Sequence, residues 1–215
     1  MAKKTLFEEL KEEVDAEEGR SPFFYRRAYR RLTRQYLNNP KKFILDEKRD
    51  SAQEDPDDQD ENLLRRVPRQ GHIYMFEYTP PFKKDVKIFD PFPLVYVISF
   101  DGRSFTGCNL HYIHPIKRKI VLENLKEGKL TLPYSSISKY IISQIDGLLL
   151  DIAFSEWSVA ANLPIEGFVS VINGEQKDLM LEDIWKQTNK SFRRMLRGSR
   201  IYKGYGQKDQ DFKGT

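Results

Sequence analysis

The chain is poor in the residues that most enzyme and metal sites need. Its 215 residues include one cysteine, Cys108, and three histidines. A single cysteine excludes an internal disulfide framework and fits a reducing compartment. The sequence contains no phosphate-binding loop, no GxGxxG motif and no nucleophile-elbow pattern. These absences favour a binding or assembly protein over an enzyme, and neither a cofactor nor a small-molecule substrate is predicted.

A long uninterrupted apolar run is also missing. The most hydrophobic stretch, Ile141 to Phe154, is broken by Gln144, Asp146 and Asp151, so a membrane-spanning helix is not predicted. No signal-peptide pattern opens the sequence. We therefore expect a soluble protein without a membrane partner. Apolar residues make up 39% of the chain, which is enough for one core with extensions.

The net charge of +4 conceals a strong segregation of charge along the chain. Residues 1–18 hold three lysines and seven acids, residues 20–49 hold ten basic residues and two acids, and residues 50–61 hold seven acids and no base. From Lys186 onward there are nine basic residues and two acids. This pattern predicts four segments: a helical N-terminal arm at 1–49, an acidic linker at 50–66, an α+β core at 67–185 and a basic C-terminal arm at 186–215.

The N-terminal arm is predicted to contain two helices. Thr5 and Glu8 form a capping-box pattern before an acidic amphipathic segment. Ser21-Pro22 begins the second helix and Pro40 follows its end. The second helix carries the arginines Arg26, Arg27, Arg30, Arg31 and Arg34. The interpretations stay open: these side chains bind phosphate groups, or they form a solvated face, or they pair with the acidic segments before and after the helix.

The C-terminal arm combines basic and aromatic residues. Its basic residues are Arg193, Arg194, Arg197, Arg200 and Lys203, and Phe192, Tyr202 and Tyr205 lie among them. Such interleaving is typical of surfaces that bind phosphates and stack on bases. The alternative is an arm that docks on an acidic neighbouring protein.

The stretch from Gly71 to Tyr112 carries most of the strand signal. Residues 72–79 alternate with a period of two, and Leu94 to Phe100 is an apolar run that ends at Asp101-Gly102. Asp101-Gly102 predicts a hairpin, with residues 103–106 as the partner strand. Short strands joined by tight turns indicate an α+β fold whose small antiparallel sheet is strongly bent or forms an SH3-like barrel, packed with helices.

Helices are predicted where apolar residues recur every three or four positions. These segments are Pro115 to Lys126, Ser136 to Phe154, Glu156 to Ala161 and Leu181 to Leu196. A short strand is expected over 130–134, and Asn173-Gly174 is expected to form a turn. Prolines also bracket a loop that carries Lys83, Lys84 and Lys87.

Cys108, His111 and His114 stand three residues apart and raise the question of a metal site or a catalytic pair. Zinc requires about four ligands, and three-residue spacing in a strand places neighbouring ligands on opposite faces. No metal site is therefore predicted, and the histidines are expected to donate hydrogen bonds at the strand end. A Cys108 nucleophile with His111 as base lacks an orienting third residue, so no catalytic residue is predicted. An enzyme acting on nucleic acid stays as a third hypothesis.

One set of residues forms a recognisable pattern over about residues 71–168. It consists of Gly71, Tyr74, Phe76 and Tyr78, then Asp90, Pro93 and Leu94, then Gly107, Asn109, Leu110, His111 and Tyr112, and finally Trp157 and Pro164. The pattern resembles a virion protein family of T4-like contractile-tailed phages, commonly labelled DNA end protector or head-completion protein. The phenylalanine- and lysine-rich loop at 80–89 departs from that pattern.

The resemblance implies a non-enzymatic virion component that is made in the bacterial host cytoplasm. Its partners would be other virion subunits and double-stranded DNA or its ends. The first hypothesis is a structural virion protein that binds packaged DNA or DNA ends in head completion. The alternative is a tail, neck or baseplate component whose arms dock on neighbouring subunits without DNA contact.

Overall fold

The computed structural model describes residues 63–81, 88–163, 165, 167–172 and 175–196. Several predictions lie outside the described residues: the two N-terminal helices with their arginines, the acidic run at 50–61, the three loop lysines, Pro164, the Asn173-Gly174 turn, and Arg197, Arg200 and Lys203.

The described part of the chain contains both strands and helices. The strands are β1 (Leu63–Arg65), β2 (Ile73–Tyr78), β3 (Ile88–Phe89), β4 (Leu94–Phe100), β5 (Ser104–Asn109), β6 (Ile137–Ile141), β7 (Ile145–Ile152), β8 (Phe168–Ile172) and β9 (Glu175–Leu179). The helices are α1 (Pro115–Lys126), α2 (Trp157–Asn162) and α3 (Leu181–Leu196). Short 3₁₀ turns lie at Leu110–Tyr112, Tyr134–Ser136, Ile142–Gln144 and Phe154–Glu156. The predicted α+β class is confirmed, as are the helices at 115–126 and 181–196.

Six strands form the main sheet in the order β1-β7-β2-β4-β5-β6, and all neighbouring pairs are antiparallel. The predicted hairpin joins β4 to β5. The carboxylate of Asp101 accepts hydrogen bonds from the backbone N–H groups of Arg103 (3.0 Å) and Ser104 (2.6 Å). Gly102 has φ +87°, a conformation that glycine adopts without steric cost. Asp101 and Gly102 therefore close the turn for different physical reasons.

The main sheet cannot be flat. β6 lies at one edge and β7 lies four strands away, but three residues, Ile142–Gln144, join them. Four strand spacings amount to about 19 Å, whereas a three-residue 3₁₀ turn rises about 6 Å. The rings of Tyr78 on β2 and Tyr140 on β6 have centroids 5.0 Å apart, although β4 and β5 separate their strands. The sheet therefore curves around its own aromatic side chains.

Both faces of the central strands of this sheet are buried. The enclosed face holds Tyr74, Phe76, Tyr78, Val95, Val97, Phe105, Tyr140 and Leu149. The opposite face packs against α1 and α2 through a larger cluster that includes Leu94, Leu110, Val121, Leu150 and Trp157. Because neighbouring residues along β2 and β4 point to different cores, these strands are apolar at almost every position.

The helix predicted over 136–154 is wrong: this segment forms β6, a 3₁₀ turn and β7. Leu149 packs into the enclosed face while Leu150 packs under the helices, so burial on both faces hides the period of two. Gly147 has φ +93°, which a helix interior does not accommodate. The strand predicted over 130–134 is also wrong, since Tyr134–Ser136 forms a 3₁₀ turn.

A second sheet has the order β3-β8-β9 and is also antiparallel. Its contact with the rest of the fold includes the rings of Tyr112 and Phe168, whose centroids are 4.6 Å apart. Among the described residues, no helix combines the length and apolar character that crossing a membrane requires.

Candidate functional site

The residues of the phage-like pattern lie mainly in the interior. Those that are buried are Tyr74, Phe76, Tyr78, Asp90, Pro93, Leu94, Gly107, Asn109, Leu110, His111 and Trp157. Tyr112 is half-buried, and Gly71 lies in the turn before β2 with φ +89°. The described part of the pattern therefore supports the fold and does not itself form an exposed binding surface.

Three polar members of the pattern form one buried network at the ends of β3 and β5. Asp90 Oδ2 accepts a hydrogen bond from Asn109 Nδ2 (2.9 Å) and lies 2.8 Å from His111 Nδ1. Its other oxygen accepts from the backbone N–H of Phe92 (3.0 Å). Asn109 Oδ1 accepts from the backbone N–H of His111 (2.9 Å). The network therefore connects the end of β3 in the second sheet with the end of β5 in the main sheet.

The chemistry of His111 follows from its burial. Removal from water lowers the pKa of His111, and the neighbouring Asp90 carboxylate only partly opposes that effect. His111 and Asp90 are 4% exposed each. The predicted hydrogen bond from a histidine at the strand end is thus present for His111, as a contact with a carboxylate from another sheet.

Cys108 and His114 do not join this network. Cys108 is buried, its Sγ lies 3.1 Å from Ser136 Oγ, and burial raises the pKa of the thiol to about 12. His114 Nδ1 accepts a hydrogen bond from the backbone N–H of Ile116 (3.4 Å) at the start of α1, so it caps a helix and does not act as a donor there. In the described ranges, no three His, Cys, Asp or Glu side chains converge as metal ligands.

A second buried carboxylate, Asp151 on β7, is a site that sequence reasoning missed. Arg65 Nε (2.7 Å) and the Tyr74 hydroxyl (3.2 Å) donate to Asp151 Oδ2, while His72 Nδ1 lies 3.2 Å from Oδ1. In the sequence, Asp151 stands out only as one of the polar residues that interrupt the apolar run from Ile141 to Phe154. Its partners lie 77 to 86 residues earlier in the chain, so local spacing carried no signal for them.

Helix α3 is attached to the turn that carries His111. Trp185 Nε1 donates to the backbone carbonyl of His111 (3.0 Å), and the Trp185 ring lies 5.1 Å from the His114 ring. The guanidinium carbon of the buried Arg118 lies 6.0 Å from the Trp185 ring centroid. Lys117 Nζ donates to Asn189 Oδ1. α3 therefore contacts α1 and its N-cap residue His114 through polar and aromatic side chains.

The exposed residues of α3 change sign along the helix: Glu182 and Asp183 lie in the first turn, and Lys186, which pairs with Asp183 at 3.2 Å, and Lys190 follow. Ile184 and Thr188 are buried, whereas Lys186 and Lys190 are exposed. Helical spacing places position 193 near 186 and 190, and Arg194 follows it before the helix ends at Leu196. Of the predicted C-terminal binding residues, Arg193 and Arg194 thus lie on α3. The helix runs across residue 186, where the basic C-terminal arm was predicted to begin.

Comparisons of the chain with family models, with curated proteins and with solved structures each found no match. Its function is therefore inferred from its own residues.

Proposed function

We propose that the chain is a non-enzymatic structural virion protein of a tailed phage, made in the bacterial host cytoplasm, whose basic segments bind packaged double-stranded DNA or its ends. The observation that carries this proposal is the attachment of α3: Trp185 and Ile184 hold the helix on the core while Lys186 and Lys190 remain exposed. The later turns of α3 carry Lys190, Arg193 and Arg194, and basic residues on a rigid support are suited to contact phosphates in fixed register.

The resemblance of the motif residues to phage virion proteins supports the same proposal. The described motif residues build a core, which leaves partner binding to the surfaces and arms around it. In this proposal, a helical N-terminal arm with Arg26, Arg27, Arg30, Arg31 and Arg34 and a basic C-terminal arm with Arg193, Arg194, Arg197, Arg200 and Lys203 carry the phosphate contacts.

For the core we propose an SH3-like barrel made of β7-β2-β4-β5-β6. The strand order and the 3₁₀ turn between β6 and β7 support this assignment. Small barrels are filled by their own side chains, in keeping with the aromatic cluster on the enclosed face. Such a core serves as a rigid element that positions arms.

The state of the buried titratable groups supports a non-enzymatic role. A nucleophilic cysteine needs a lowered thiol pKa and access to substrate, but burial raises the pKa of Cys108. His111 is directed at Asp90 in the interior. Cys108 and His111 each contact a polar side chain in the interior, where these contacts stabilise the fold.

The test is binding of the full chain to blunt-ended linear and closed circular DNA at low and physiological salt. Two variants accompany it: the quadruple alanine variant of Arg26, Arg27, Arg30 and Arg31, and a chain truncated at Arg197. Preference for linear DNA that either variant weakens supports end binding. Absence of binding at physiological salt contradicts the proposal.

The alternative is a tail, neck or baseplate component whose arms dock on neighbouring virion subunits. The exposure of large apolar side chains favours it: Ile116 is 79% exposed and Met180 is 71% exposed. This alternative predicts that the arms become protected from proteolysis when they bind virion proteins. It also predicts that the chain shows no salt-sensitive DNA binding.

A further inference from the structure

The 3₁₀ turn Leu110–Tyr112 is the point where the main sheet, the second sheet and α3 meet. Its residue His111 contacts Asp90, which follows β3 of the second sheet, through the imidazole ring. The backbone carbonyl of His111 accepts from Trp185 on α3, and its N–H donates to Asn109 at the end of β5. One residue therefore holds three elements of the fold together.

The position of the proton on the His111 ring follows from the donors around Asp90. Both Asp90 oxygens accept hydrogen bonds, one from the backbone N–H of Phe92 (3.0 Å) and the other from the side-chain amide of Asn109 (2.9 Å). Because an ionised carboxylate only accepts, the neutral His111 ring carries its proton on Nδ1, 2.8 Å from Asp90 Oδ2. A second proton then binds to Nε2 and gives the ring a positive charge.

The folded chain disfavours that positive charge. Burial lowers the pKa of His111, the Asp90 carboxylate partly opposes this effect, and the guanidinium of Arg118 on α1 adds to it. Arg118 is itself buried, and its Nε donates to the carbonyl of Ile113 (2.8 Å), directly after the turn. A positive His111 ring would therefore lie in the interior close to another positive charge.

Other titratable side chains lie around this junction in the described part of the chain. Burial and the nearby Asp90 charge raise the pKa of the phenols of Tyr112 and Tyr140, so both stay neutral between about pH 5 and about pH 8. The ring of His114 lies 5.1 Å from the ring of Trp185. His114 is therefore the group whose effect on α3 must be separated from that of His111.

We infer that the contact between His111 and Asp90 positions α3 on the core and that proton uptake by His111 releases the helix locally. The ring is enclosed, so it reaches water only when the Leu110–Tyr112 turn moves. The same movement displaces the carbonyl that accepts from Trp185. Below about pH 6.5 the opened turn binds a proton that the closed turn does not, so opening becomes easier by up to about tenfold per pH unit.

This inference rests on the proposed function only for what the helix does. In that function the later turns of α3 contact DNA while the helix is attached, so DNA binds the closed turn better than the open one. By linkage, DNA then opposes the release of α3, and protons weaken the binding of DNA. His111 and Asp90 act as positioning residues for the helix and do not themselves contact DNA.

The experiment measures amide hydrogen exchange of the full chain by mass spectrometry at about pH 7.5 and about pH 5.5, with and without a short DNA duplex. Each exchange rate is divided by the intrinsic rate at the same pH, and peptides from α3 are compared with peptides from β4. The test variant is His111→Gln, which keeps a donor beside Asp90 but does not titrate. The control is His114→Gln, and thermal unfolding verifies the fold of both variants.

In the unmodified chain, the lower pH should reduce the protection of α3 by about threefold to tenfold more than that of β4. His111→Gln should remove this additional loss, and His114→Gln should keep it. Equal losses in α3 and β4 of the unmodified chain overturn the inference even if His111→Gln does not fold. A loss that only His114→Gln removes overturns it as well.

The samples with DNA separate this inference from the proposed function. Higher protection of α3 in the presence of DNA at about pH 5.5 supports both, because DNA then selects the attached helix. If the chain binds no DNA at either pH, the proposed function is contradicted. The exchange of α3 without DNA still decides whether His111 controls its attachment.

Discussion

Trp185 Nε1 donates a hydrogen bond to the backbone carbonyl of His111 at 3.0 Å, so helix α3 is attached to the turn whose side chain pairs with Asp90. The buried network and the basic helix are thus neighbours in space although 74 residues separate Trp185 from His111. A substitution in the network should therefore affect α3, and a substitution in α3 should affect the network.

Trp185→Phe should loosen α3 specifically. The substitution removes the indole donor and leaves the His111 carbonyl without that bond, which costs about 1 to 2 kcal/mol of unfolding free energy. We expect faster amide hydrogen exchange in α3 than in β4 or β5. Trp157→Phe is a matched control because Trp157 Nε1 also donates to a backbone carbonyl, that of Ile152, at 3.0 Å. Equal exchange in α3 in the two variants would contradict the assigned role of Trp185.

Stability should decrease as the pH falls below about 6.5, and His111 should account for part of the decrease. Burial lowers the pKa of His111 in the folded chain, so below the unfolded pKa of about 6.5 the unfolded chain binds a proton that the folded chain does not. The contribution is present above that pH and is lost by at most about 1.4 kcal/mol per pH unit below it.

Urea unfolding at about pH 7.5 and about pH 5.5 measures this effect. His111→Gln keeps a donor beside Asp90 but does not titrate, so the difference in stability between the two pH values should shrink. The lowered carboxyl pKa of Asp101, caused first by its hydrogen bonds with Ser104, acts below this window. An unchanged difference in the variant would mean that His111 is not the titrating group.

Gly107→Ala should destabilise the pairing of β4 with β5. An added Cβ would lie 2.8 Å from the Tyr96 carbonyl oxygen and would overlap the Val95 side chain. Overpacking of this kind costs about 1 to 3 kcal/mol, which a thermal melt measures. Gly128→Ala has nothing within 4 Å of the new Cβ but a φ of +72°, so it should cost about 1 kcal/mol from backbone strain alone. A smaller loss for Gly107→Ala than for Gly128→Ala would contradict the close approach.

Cys108 should resist alkylation in the folded chain. Burial raises its thiol pKa to about 12, so at about pH 8 its thiolate fraction is lower by about 10³-fold than that of a free cysteine. Iodoacetamide labelling followed by mass spectrometry should show no adduct under native conditions and complete labelling in denaturant. Rapid labelling of the native chain would indicate an accessible, activated thiol and would reopen the enzyme hypothesis.

Local patterns in the sequence predicted the elements that local physics controls. The proline and glycine at the two ends of α1, the Asp101-Gly102 turn and the apolar spacing of α3 each act within a few residues. Local patterns gave the wrong prediction, a helix, for the region of β6 and β7, because Leu149 and Leu150 are buried on opposite faces of one sheet. The φ of +93° at Gly147, which rules out a helix there, becomes visible only in the structure.

The polar networks could not be predicted from local sequence patterns, because their members are far apart in the chain. Asp90 and His111 are 21 residues apart and Asp151 and Arg65 are 86 apart. A single sequence does not show which of its many acids contact which of its many bases, so nothing distinguished Asp151 from the other acidic residues. The basic residues of α3 were visible in the sequence, but the attachment of the helix through Trp185 depends on the folded core.

The pairing of β2 with β7 also has a consequence for synthesis of the chain. The central strand β2 pairs with β7, with Ile73 opposite Ile152, so one edge of β2 stays open until the ribosome has released about 80 further residues. Contacts of such long range make folding slow. A nascent or truncated chain that stops before β7 would expose unpaired backbone groups along an apolar strand. Aggregation of C-terminal truncations should therefore begin when the cut removes residues of β7.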